Sequence, residues 1–337
     1  MKEELVQEFC TVLKVWPAAY DTLDVMFSST EMELVVALSG RLGTAGDVAG
    51  WLRLEHAAAE ELLLRSYQRC VVDKEEIDGQ IWYRAATFYD FLDHYAKYEN
   101  WDDLPLHVRR SLDGCFLDAF IERHRENVVL KMLGRAPSSA LPNDSVMLLS
   151  EVEAMIDAAT DIVVQPCDCR RLGQYCDRPV NTCIWLDGLA LQALERGHGE
   201  RLSREEAKQR LRWADKKGLM HTADHNWQAN GLHAICNCCA CDCYPFRAAQ
   251  QLGSKGVWPE VRYVAVYHRD DCSICGLCVQ RCHFGAFYHQ GMVPGIGGKE
   301  KPDIWYDPDQ CWGCGLCVNS CPTGAITLVE IQETSSR

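Results

Sequence analysis

Apolar positions in the first third of the chain recur at helical spacing. Residues 1–30 read as one or two short helices broken near Trp16-Pro17. Glu31–Leu38 reads as a helix, and Thr44-Ala-Gly-Asp47 opens another, with Asp47 as the expected N-cap. In Glu55–Arg69, Ala59, Leu62, Leu63 and Tyr67 share one helical face. The period then changes. Val71-Val72, a turn at Asp78-Gly79 and Ile81–Arg84 read as a β-hairpin. Phe88–Tyr98 is amphipathic, and Leu106–Leu133 is a long helical stretch that Gly114 is expected to interrupt. Gly134–Asp144, rich in Pro, Ser, Gly and Asn, reads as a linker.

Beyond the linker, strands and helices alternate. Ser150 with Glu153 has the spacing of a capping box and starts a helix. Ile162–Val164 reads as a strand that delivers the chain to Cys167. A second box, Ser203 with Glu206, starts a helix to about Lys217, which Gly218 ends. Leu219–Thr222 and Leu232–Cys236 read as strands around the polar loop Asp224–Gly231. The expected fold is α+β and multidomain. A helical domain spans 1–133 and a linker 134–149. A small α/β cysteine-rich domain spans 150–258, and a final domain 259–332.

Cysteine changes this picture most. There are 20 in 337 residues. Eight form two runs, Cys272–His283 and Cys311–Pro322, each spaced C-x2-C-x2-C-x3-C. Three cysteines in a tight loop can reach three irons of one cubane. The fourth, one helical turn on, points towards a neighbouring cluster. Paired zinc sites are the alternative, but zinc commonly uses C-x2-C pairs rather than triplets. Val261–Leu328 resembles the bacterial-type 2[4Fe-4S] ferredoxins. The resemblance implies a ferredoxin-like, two-cluster C-terminal domain. It assigns Cys272, Cys275, Cys278 and Cys321 to one cluster, and Cys311, Cys314, Cys317 and Cys282 to the other. Gly276 and Gly315 follow the second cysteine of each run and let the backbone close in. Gly285–Tyr288 and Ala325–Leu328 match the short strands that follow each cluster helix. His283 stands where that family has proline, a change expected to alter hydrogen bonding or solvent access. The Gly-rich loop Gly291–Gly298 links the two halves.

Nine more cysteines lie in the middle region: Cys167, Cys169, Cys176 and Cys183, then Cys236, Cys238, Cys239, Cys241 and Cys243. Five within eight residues would be an oxidation hazard without a metal. Both blocks leave a predicted strand, so they are expected to meet at one end of the small sheet. A third [4Fe-4S] cluster is the first reading. Two further cubanes, one larger cluster or a structural zinc also fit the count. Cys238-Cys239 resembles the paired cysteines of heterodisulfide-reductase-type clusters, although Ala240 stands where those carry glycine. Arg170, Arg171, His221, His225 and Trp227 flank these blocks and are expected to be structural or solvent-facing. Tyr244–Arg247 opens a helix directly after Cys243. Cys10, Cys70 and Cys115 read as core thiols.

Charge narrows the partners. The chain carries a net −14, and residues 1–100 hold 9 Lys and Arg against 18 Asp and Glu. Element order over about 31–87 resembles a winged helix. The acidic would-be recognition helix argues against nucleic acid and for protein docking or homo- or hetero-oligomerisation. The full order of parts resembles a family of multidomain 4Fe-4S dicluster proteins of anaerobic bacteria. No apolar run spans a bilayer, and the start lacks a secretory signal, so a reducing cytoplasm is expected. No nucleotide fingerprint is visible. The expected function is single-electron transfer between a carrier and a partner reductase or the chain's own middle centre. The alternatives are a reductase with a catalytic middle centre, and a redox-sensing winged-helix regulator.

Overall fold

The computed structural model describes residues 2–142, 144–294 and 299–331. Its chain divides into two compact units. The first comprises 1–120, 168–174 and 193–198; the second comprises 121–167, 175–192 and 199–337. Helix and strand are mixed throughout, in keeping with an α+β fold. No helix among the described residues is long and apolar enough to cross a membrane.

In the first unit, helices Ser29–Ala37, Ala45–Leu52 and His56–Gln68 precede the hairpin Val72–Ile77/Gln80–Ala85. Leu34, Val48, Ala59, Leu62, Leu63 and Tyr67 form their common core, so the apolar face read from spacing is the buried one. Asp78 and Gly79 both have positive φ, as a two-residue hairpin turn demands. Gly43 adds an isolated antiparallel bridge to Tyr83 of this two-stranded hairpin. Thr44, not Asp47, is the N-cap. The Thr44 N–H donates to Asp47 Oδ2 (2.9 Å), and the Asp47 N–H donates back to Thr44 Oγ1 (3.2 Å), which makes Asp47 the other half of the box.

Arg69 ties this core to the amphipathic helix Phe88–Tyr98. Its guanidinium pairs with Glu31 and reaches Glu99 at 2.6 Å and the Met26 carbonyl at 2.7 Å. Cys10, Cys70 and Cys115 are only partly buried, which corrects the core reading. Cys70 lies past the helix end at a left-handed φ of 57°, so helical periodicity does not govern it.

Helix Leu106–Met132 runs through Gly114 without a break. A single glycine costs about 1 kcal/mol relative to alanine, too little to end a helix of this length.

The second unit is built on a six-stranded sheet. Its order is Ser145–Met147, Met220–Ala223, Ala234–Cys238, Asn181–Leu186, Ile162–Pro166, Glu200–Arg201, with every neighbour antiparallel. Helices Leu149–Ala158 and Arg204–Lys216 bury Val152, Met155, Ile156, Ala207 and Leu211 in one core with Ile162, Ile184 and Ile235. Ser203 and Glu206 form the expected box. Ser150 does not cap its helix. Leu148 is the N-cap, and its N–H donates to Glu151 (2.7 Å), which Arg262 and Tyr263 also hold. Glu153 is drawn instead to Arg212. Tertiary partners thus move the start two residues earlier.

The cysteine runs belong to this unit. Each has a short 3-10 turn, a cysteine loop and a five-residue helix, Leu277–Arg281 or Leu316–Ser320. Tyr263–Tyr267 pairs with Ile326–Glu330, and Phe287–Pro294 with Glu300–Tyr306. Part of the predicted Gly291–Gly298 loop, residues 295–298, lies outside the described residues.

Candidate metal centres

Two cavities open beside the cysteine helices. One is lined by Cys272, Cys275, Cys278 and Cys321, with Tyr267, Ile304 and Ile326. The other is lined by Cys311, Cys314, Cys317 and Cys282, with Phe284, Phe287 and Trp312. Each wall therefore takes three thiols from one run and the fourth from the other. Local structure explains the exchange. Cys278 lies on the helix Leu277–Arg281, while Cys282 falls just past its end, with its N–H bonded to the Cys278 carbonyl (3.0 Å).

The loops share a strained turn. Ile274 has φ 55° and Gly313 has φ 63° at matching positions, two residues after the first cysteine. The turn aims the Ile274 N–H at Cys272 Sγ (3.3 Å) and the Gly313 N–H at Cys311 Sγ (3.4 Å). A β-branched residue at positive φ is a genuine outlier, and strain of this kind concentrates at functional sites. Gly313 has a further constraint, because a Cβ there would lie 2.1 Å from the Tyr263 carbonyl oxygen. Burial pushes the Cys278 and Cys314 thiols up to about 12, so thiolate at either position needs a bound cation. Four thiols at each cavity, sulfur-directed N–H groups and close backbone approach fit an iron–sulfur cubane.

His283 does not bond to the cavity sulfurs. Its Nε2 donates to the Gly218 carbonyl at 2.6 Å, linking the first run to the end of the helix Arg204–Lys216. Burial outweighs that bond and holds its pKa below the usual imidazole value. Proline could not make this link.

The middle cysteines separate into groups. Cys176, Cys239 and Cys241 gather with Asp242, all four ligand atoms lying within 4.8 Å of one another. Cys238 and Cys243 lie 3.3 Å apart, with Thr222 Oγ1 3.5 Å from Cys238. These two join Phe246 and Trp312 in one core, against which Cys236 and Cys314 pack. Trp312 stacks on Phe284 and meets Phe246 edge-on. An apolar bridge therefore connects the second cavity to the middle cysteines. Cys243 is the N-cap residue of the helix Tyr244–Leu252.

Cys167 and Cys183 are buried at the paired strands Ile162–Pro166 and Asn181–Leu186. Cys169 rides on the helix Asp168–Gly173, which is grouped with the first unit. Arg171 is committed to the Ala96 carbonyl and Asp102, while His221 bonds Asn237. His225 meets Ser145 Oγ at 2.7 Å, and Trp227 packs against the sheet core.

Asp242 is the residue that the sequence reading missed. The only signal was its position between Cys241 and Cys243, in the order C-D-C.

Residues 304–327, which hold the second run and the start of the strand after it, match the 4Fe-4S binding domain family. No curated protein and no solved structure matches the chain. The family match and the cysteine groups together support an iron–sulfur protein with at least one [4Fe-4S] cluster and a general role in electron transfer.

Proposed function

We propose that the chain is a two-cluster electron carrier whose C-terminal segment passes single electrons between a partner protein and a metal centre among its own middle cysteines. One observation carries this reading. Each of the two cavities is lined by four thiols in the interleaved combination, Cys272, Cys275, Cys278 and Cys321 in one and Cys311, Cys314, Cys317 and Cys282 in the other. A bound [4Fe-4S] cluster supplies a one-electron couple. The chain's residues do the rest. Thiols hold the group, the Ile274 and Gly313 N–H groups stabilise sulfur charge, and apolar side chains limit water. Four protein thiols per cluster leave no iron open to substrate, so this segment is a conductor rather than a catalyst. Trp312 and Phe246 form the contact through which the second cluster faces the middle cysteines.

The three helices and hairpin of Ser29–Ala85, with Gly43 bridged to the hairpin, support a winged-helix reading. Its acidic charge favours docking to a partner's basic face over DNA. The test is anaerobic reconstitution with iron and sulfide, then dithionite reduction and mixing with oxidised cytochrome c. The expected result is two electrons delivered per chain from the C-terminal clusters, lost when Cys275 and Cys314 are both changed to Ala. A protein that binds iron and sulfide yet delivers no electrons would refute the proposal.

A further inference from the structure

The middle cysteines differ from the paired runs in spacing. No three thiols of the paired runs come within 4.8 Å of one another among the described residues, whereas Cys176, Cys239, Cys241 and Asp242 do so as a set of four. A cubane seats its thiolates on separate irons and so spreads them apart. A single ion draws its ligands together. Four ligands in a tetrahedron around zinc, with Zn–S near 2.3 Å and Zn–O near 2.0 Å, stand about 3.8 Å apart sulfur to sulfur and about 3.5 Å sulfur to oxygen. Cys176 Sγ lies 3.8 Å from Cys239 Sγ. Asp242 Oδ2 lies 3.0 Å from Cys176, 3.4 Å from Cys239 and 3.2 Å from Cys241.

Asp242 itself points to a cation. Its side chain is fully buried. One carboxylate oxygen sits among three sulfurs, while the other accepts the Tyr175 N–H at 2.8 Å. A buried carboxylate beside three thiols is costly unless a positive charge joins them. The Tyr175 bond orients the carboxylate, as outer partners of metal ligands do. Three soft thiolates and one hard oxygen in a closed tetrahedral set suit zinc.

We infer that Cys176, Cys239, Cys241 and Asp242 bind one zinc ion, a structural site separate from any iron–sulfur cluster. The inference rests on the reading that the middle cysteines bind metal; zinc has no redox couple, so the electron-accepting centre of that reading falls to the remaining middle cysteines. Zinc here staples the loop after Tyr175 to the turn Cys239–Cys243. That turn leads into the helix bearing Phe246, and so fixes the contact with Trp312.

The experiment is metal and sulfide analysis of the full chain, produced with iron in excess and purified without oxygen, alongside Cys241→Ser and Asp242→Asn. The expected wild type carries zinc one-to-one with the chain. Each variant should lose at least nine-tenths of it at unchanged iron and sulfide. Joint loss of iron and sulfide in Cys241→Ser would overturn the zinc assignment but keep a middle metal centre. No change in any metal in either variant would overturn both, and a wild type without zinc would overturn the zinc assignment. If the variants fail to fold, cobalt substitution of the wild-type chain decides. Thiolate-to-cobalt charge transfer with tetrahedral ligand-field bands supports the site, and their absence refutes it.

Discussion

Gly313→Ala separates cluster-binding geometry from general stability. Gly313 has φ 63°, and a side chain in that left-handed region costs about 1–2 kcal/mol. An added Cβ would also lie 2.1 Å from the Tyr263 carbonyl oxygen and 2.8 Å from its carbon, both backbone atoms that no rotamer change can move. Contacts below 3.0 Å are essentially never tolerated, so loop and strand must part by roughly an ångström. Metal sites accept ligand displacements of only about 0.2 Å. The Gly313 N–H bond to Cys311 goes with the shift. The expected outcome is loss of the cluster proposed at Cys311, Cys314, Cys317 and Cys282, with the one proposed at the other cavity retained. Gly276→Ala is the control. It carries a similar φ of 78°, yet its Cβ would meet nothing nearer than His289 at 3.6 Å. It should cost stability and keep both clusters. Iron and sulfide per chain after anaerobic reconstitution provide the assay. A Gly313→Ala chain with the wild-type iron content would refute the argument, as would equal losses in the two variants.

Trp312→Ala removes a nearly buried ring from between Phe246 and Phe284, and should lower stability by about 3–5 kcal/mol, measured as the urea midpoint of the second unit. Arg69→Met leaves the buried Glu31 without its cation and should destabilise the first unit by about 3 kcal/mol in the same assay. Acid should weaken the first unit. Burial holds His198 at about 4, so between about 6.5 and 4 the unfolded chain gains a proton that the folded chain refuses. Burial raises Glu99, but bonds from His94 and Arg69 outweigh it and depress its pKa, so its contribution is also lost as pH falls. The melting temperature followed by helical circular dichroism should therefore drop from pH 7 to 4, with a shallower drop in His198→Gln; a flat profile would contradict this.

The grouping of the eight thiols around two cavities was legible because their spacing is local. Cysteines two and three residues apart sit in one loop whatever the rest of the fold does, and a fourth just past a short helix must face elsewhere. The core of Leu34, Leu62, Leu63 and Tyr67 was legible for the same reason, as one face at helical spacing. Non-local pairing was not. Ser145–Met147 and Glu200–Arg201 are too short to show alternation, yet both complete the six-stranded sheet. Helix starts moved where tertiary partners competed, as when Arg262 and Tyr263 hold Glu151 and make Leu148 the cap. Asp242 was hidden because its contact with Cys176 spans 66 residues of sequence. No spacing rule links a carboxylate to a cysteine so distant.

Electron paramagnetic resonance of single cysteine variants tests the interleaved quartets most directly. The account predicts that Cys321→Ala, in the second run, perturbs the same reduced-cluster signal as Cys275→Ala in the first. Cys282→Ala should match Cys314→Ala. Signals sorting by run instead, with Cys321→Ala matching Cys314→Ala, would contradict it.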